Sequence, residues 1–177
     1  MHHQNALELV LIVMLLLASA FDLRQRRIPN RLLAGGLLAA MVMHLASGTA
    51  SALLTTYLAG FTLGLLMFLP LYLAGGMAAG DVKLMATVGA FLGPALVLQA
   101  SLATYCCGGV LALLIVLFKR RSRLALANVI ALLWPMLIRF QGVHMAREKG
   151  VIASVGGMPY AVAISAGTFI VLYLRHS

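Results

Sequence analysis

The chain has 177 residues, of which 63% are hydrophobic and only 10% charged, and its mean hydropathy is +1.03. A soluble domain is about 45–50% apolar and about 25% charged. This composition therefore excludes an ordinary soluble globular protein, a disordered chain and a disulfide scaffold, and leaves an all-α, polytopic membrane protein. At about 20 residues per crossing, the length accommodates roughly five to seven spans. Thirteen Lys and Arg stand against four acidic residues, Glu8, Asp22, Asp81 and Glu148, for a net charge of +9. The basic residues sit beside apolar runs, which points to anionic lipid and topology rather than nucleic acid. Cys106 and Cys107 are adjacent inside an apolar run, and without a CxxC pair nothing indicates a zinc site or a disulfide framework.

The first apolar run covers about Asn5 to Phe21 and lacks the basic start of a cleavable signal peptide. Arg24, Arg26, Arg27 and Arg31 follow it. A second run covers about Leu32 to Ala46, and a third about Ala52 to Ala74, ending in the glycine-rich turn 75–81. The fourth runs from about Val82 to Val97 and the fifth from about Gln99 to Phe118, before the basic cluster 119–123. The last clear span is about Met158 to Leu174. The stretch Leu124 to Ile138 is apolar but short, broken by Pro135 and basic at both ends.

Charge counting assigns that stretch to the interface, with Trp134 near the headgroups, as an interfacial or re-entrant helix. Six spans then put every Lys and Arg except Arg175 on one side, which the positive-inside rule makes cytoplasmic. A crossing there would move Arg139, Arg147 and Lys149 to the other side and weaken the bias. Both termini are accordingly expected outside the cytoplasm. No linker or repeat divides the chain, so residues 1–177 read as a single integral-membrane domain.

The only two aspartates, Asp22 and Asp81, fall at the cytoplasmic ends of apolar spans, where charge is expensive and marks function. Two neighbouring carboxylates cannot both ionise cheaply and titrate as a coupled pair. One can take a proton from water while the other, protonated, donates to a carbonyl oxygen, which is metal-free amide hydrolysis. Competing chemistries are poorly supplied. His2, His3 and His176 are terminal, His44 lies near the far end of span two, and His144 is in a cytoplasmic loop. There is no HExxH, no GxxxxGK[ST] and no GxGxxG. Gly75, Gly76 and Gly80 permit positive φ and close backbone approach, and a glycine-rich segment beside Asp81 leaves room for an extended peptide.

Three segments carry a resemblance. Residues 21–30, FDLRQRRIPN, join Asp22 to a basic stretch and to Pro29-Asn30. Residues 75–86, GGMAAGDVKLMA, place Gly80-Asp81 before Lys83. Residues 158–164, MPYAVAI, open the last span with Pro159-Tyr160. In this order they resemble the signatures of the type IV prepilin peptidases, the GxGD aspartic membrane peptidases. That resemblance implies an endopeptidase that removes the short basic leader of prepilins at the cytoplasmic face of the bacterial inner membrane. It makes Asp22 and Asp81 the catalytic acids and gives Gly75, Gly76, Pro159 and Tyr160 as substrate-binding candidates. The chain is similar to the short form serving tight-adherence (Flp-type) pili, without the methylating domain of the long forms. The implied partners are a prepilin, whose apolar helix packs laterally, and membrane lipids; no nucleic acid, metal or organic cofactor is implied.

One residue departs from the pattern: Ala78 stands where the motif has its first glycine. A left-handed backbone there would disfavour alanine; a demand for smallness alone would not. A silent pilus-assembly scaffold is therefore one alternative, and a small proton-coupled transporter another. The transporter expects midplane acids and two similar halves, which this chain lacks. The remaining residues have bland readings. Asp22 can pair with Arg24 or Arg26 at a surface, Asp81 can cap span four, and Lys83 can snorkel. Pro29-Asn30 can start span two, Pro159 suits a first helical turn, and Gly60 and Gly64 suit intramolecular helix packing.

Overall fold

A computed structural model of the chain describes residues 2–46, 51, 53–118 and 159–177. The described residues fold into six helices: α1 (His2–Gln25), α2 (Asn30–Ala46), α3 (Ala59–Leu73), α4 (Ala79–Leu92), α5 (Pro94–Phe118) and α6 (Tyr160–His176). A π-helical segment, Leu53–Leu58, runs directly into α3. Residues 4–25, 53–73 and 94–114 are long and apolar enough to cross a membrane, and α2 and α6 are shorter apolar helices. The expected interfacial helix Leu124 to Ile138 lies outside the described residues.

Local chemistry explains the breaks. Helix α1 ends where Arg26 takes a left-handed φ of 52° and donates its N–H to the Asp22 carbonyl, before Pro29. The Pro29 carbonyl then accepts from Leu32 and Leu33, so α2 starts at Asn30, two residues ahead of the expected Leu32. Helix α3 closes with Gly75 at φ 79°, Gly75 N–H on Tyr72 and Gly76 N–H on Leu71, a Schellman motif that satisfies the orphan carbonyls.

The expected fourth span ran to Val97. The helix instead ends at Leu92, because Gly93 turns left-handed at φ 80° and Pro94 opens α5. An unbroken apolar run hid this stop. Pro159 caps α6 from just outside it, so that helix begins at Tyr160 rather than Met158.

Helix α4 lies at the centre and touches all five others. Every residue from Leu84 to Leu92 is buried, as befits a helix apolar on all sides. Small residues allow the approach. The Gly60 and Gly89 backbones meet, and a Cβ on Gly64 would stand 2.5 Å from the Met85 carbonyl oxygen. The GxxxG of α3 therefore packs within the chain. Tyr105 of α5 stacks on Phe68 of α3, ring centroids 5.0 Å apart, and donates its hydroxyl to the Met67 carbonyl.

Side-chain ties fix the two ends of the bundle. At one end Glu8 pairs with Arg175 at 2.8 Å and with His176 at 2.7 Å, clasping the start of α1 to the finish of α6. Nearby, buried His44 sits 3.0 Å from the Ala90 carbonyl, joining α2 to α4. At the other end lie Asp22, Asp81, Lys83, Asn30 and the start of α6. The helices thus alternate in direction. Helix α5 starts at the clasp end and runs away from it, and α6 runs back to the clasp.

Candidate active site

Asp22 occupies the last full turn of α1 and is 7% exposed; Asp81 is the third residue of α4 and is 5% exposed. The bundle brings the two together at one end, close enough for the Asp22 charge to be felt at Asp81. Among the described residues neither forms a close ion pair. Among the described residues those pairs involve Glu8 alone, and Arg26 acts on Asp22 only through space.

Each carboxylate has a backbone donor at a helix start. The Ala161 N–H, in the first turn of α6, donates to Asp22 Oδ2 at 3.1 Å. The Ala78 N–H donates to Asp81 Oδ2 at 3.2 Å, while the Asp81 N–H reaches back to the Ala78 carbonyl at 3.1 Å. Asp81 is therefore not the N-cap residue of α4; it sits at N3 and folds back to satisfy the cap's own amide. Positive helix ends and aimed amides favour negative charge at both positions. Tyr160, half-buried at the start of α6, lies within electrostatic reach of Asp81. The start of α6 thus reaches Asp22 through the Ala161 N–H and Asp81 through Tyr160.

The other expected site residues divide. Lys83 is exposed and donates its Nζ to Asn30 Oδ1 at 3.3 Å, linking α4 to the first residue of α2. Gly80 is helical, and a Cβ there would stand 3.6 Å from Ile28, ordinary contact distance. Of the glycines of this turn, which all permit positive φ, Gly75 alone adopts it. Gly75 and Gly76 terminate α3, and their amides point at α3 carbonyls. Ala78 has φ −83° and ψ 152°, extended backbone that alanine adopts freely. The motif departure therefore carries no conformational penalty.

Sequence reading missed the part played by α6. The Ala161 amide reaches Asp22 across 139 positions, and a backbone donor leaves no mark in side-chain patterns. Ser19 and Ser165 were missed as well. Their signal is faint: each lies about one helical turn from Asp22 or Ala161.

A comparison with protein-family models matches residues 9–113 to the type IV leader peptidase family. That match spans more than half of the chain and includes both aspartates. Neither a curated protein nor a solved structure matches the chain.

Proposed function

Because the chain belongs to the type IV leader peptidase family, we propose that it removes the short basic leader of Flp-type prepilins, with Asp22 and Asp81 as the catalytic pair. Membership implies a peptidase, and the apolar helices suit a membrane protein. The observation that carries the finer reading is the meeting of two buried carboxylates at one end of the bundle, each oriented by a backbone N–H.

The chemistry follows from that pairing. Like charges at close range favour one proton shared between the two acids. The ionised member takes a proton from a water held between them as the water oxygen bonds to the scissile carbonyl carbon, and the protonated member donates to the carbonyl oxygen. The tetrahedral carbon then loses its C–N bond as the acid that took the water proton passes it to the leaving nitrogen and the other acid takes back a hydroxyl proton. The leader must be extended where it is cut, since a helical amide is hydrogen-bonded and shielded.

The topology we propose has six spans and places the aspartate end in the cytoplasm. Arg24, Arg26, Arg27 and Arg31 flank that end with Lys83, and Arg175 lies at the other. Both termini then face away from the cytoplasm, and a prepilin would approach laterally with its leader at the aspartate end.

Co-expression with a Flp-type prepilin tests the reading. Wild-type chain shortens the prepilin, and Asp22→Asn and Asp81→Asn each leave it full length while accumulating normally in the membrane. Cleavage surviving in either variant removes the dyad, and an intact prepilin with wild type favours an assembly scaffold.

A further inference from the structure

Ser19 lies one turn before Asp22 on α1, and Ser165 one turn after Ala161 on α6. Their hydroxyl oxygens are 2.7 Å apart. Ser19 Oγ also stands 3.3 Å from the Ala161 carbonyl, and Ser165 Oγ 3.3 Å from the Leu15 carbonyl. The carbonyls only accept, and each hydroxyl has one proton. One proton therefore bridges the two serines and the other reaches a carbonyl, so a continuous hydrogen-bonded link joins α1 to α6 whichever way it runs. Ser165 is 5% exposed, in a setting where an unpaired hydroxyl is costly, so the couple holds itself together.

The link falls on the residue that serves the acid. Asp22 accepts the Ala161 N–H, and Ser19 approaches the carbonyl of the same Ala161. When Ser165 donates to Ser19, the Ser19 proton goes to the Ala161 carbonyl and α1 grips one residue of α6 at both ends of its backbone; in the reverse run Ser165 donates to the Leu15 carbonyl and ties α6 to α1 one turn further on. We propose that the Ser19–Ser165 couple is a positioning device that fixes the first turn of α6, keeps the Ala161 amide on Asp22 Oδ2 and leaves Oδ1 for the reaction. The inference rests on the dyad reading. Neither serine touches the reacting atoms; they act through Ala161.

Steady-state cleavage of a prepilin by purified Ser19→Ala, Ser165→Ala and Ser19→Thr chains in detergent tests it. A misplacement of about 1 Å can cost about a hundredfold, so kcat is expected to fall ten- to a hundredfold in either alanine variant, with KM unchanged. Ser19→Thr keeps the hydroxyl and restores most of the rate. The double alanine variant is slower than either single one, because a lone hydroxyl still donates across the helices, Ser19 to the Ala161 carbonyl or Ser165 to the Leu15 carbonyl. A wild-type kcat in both alanine variants overturns the inference. So does a rise in KM alone, or a threonine variant as slow as Ser19→Ala. Asp22→Asn and Asp81→Asn run alongside. Cleavage by either overturns the acid pair and this inference with it, whereas their silence beside a wild-type kcat in both alanine variants overturns the positioning alone.

Discussion

Substituting Gly64 by alanine tests whether the packing of α3 on α4 sets the position of Asp81. A Cβ at Gly64 would lie 2.5 Å from the Met85 carbonyl oxygen, 3.1 Å from its carbon and 3.2 Å from Ala86 Cα. Ordinary contact begins near 3.4 Å, so α3 must retreat by nearly an ångström, and the obstructing atoms are backbone that cannot swing aside. Overpacking of this kind costs about 1–3 kcal/mol. Helix propensity acts the other way, favouring alanine over glycine by about 0.5–1 kcal/mol, so packing is expected to win. Met85 lies one turn beyond Asp81, so the retreat is felt at the acid, and cleavage should slow about tenfold or more. Gly35→Ala and Gly109→Ala are the controls, since a Cβ at either meets nothing within 4 Å; both should be neutral or slightly stabilising. Unfolding in denaturing detergent and prepilin cleavage read the two effects. A Gly64→Ala chain as stable as Gly35→Ala would refute the reasoning.

Other expectations follow from local geometry. Ala78→Gly should not raise kcat, because the position is extended; a marked gain in a cleavage assay would show that alanine there is a handicap. His44→Ala leaves the Ala90 carbonyl without this partner in a buried setting and should cost about 1–3 kcal/mol in denaturant unfolding, with cleavage kinetics per folded molecule unchanged. Glu8→Gln weakens the exposed clasp with Arg175 and should cost under about 1 kcal/mol, a difference that shrinks as salt is added to the unfolding buffer.

Much of the site was legible because it is written in single residues. Asp22 and Asp81 are the only aspartates, and each sits where an apolar run meets a turn, so a shared depth could be read from spacing alone. The GxxxG was legible for a similar reason: glycine at that spacing serves close helix approach. What stayed hidden falls into two kinds. The stop at Gly93-Pro94 lies inside an apolar stretch, where hydropathy continues although the backbone turns. The capping of Asp22 by Ala161 and the pairing of Ser19 with Ser165 join residues separated by 139 and 146 positions. Tertiary packing creates such contacts, and local patterns do not encode them.

The 14 residues of α4 also bear on how a peptide bond reaches the acids. At about 1.5 Å per residue the helix is roughly 21 Å long, well short of the roughly 30 Å hydrocarbon layer. Surrounded by longer neighbours, it leaves a deficit of about one and a half turns. The proposed acid Asp81 stands at the Ala78 end of α4, so on the reading proposed above a shortfall at that end would seat it below the ends of the neighbouring helices.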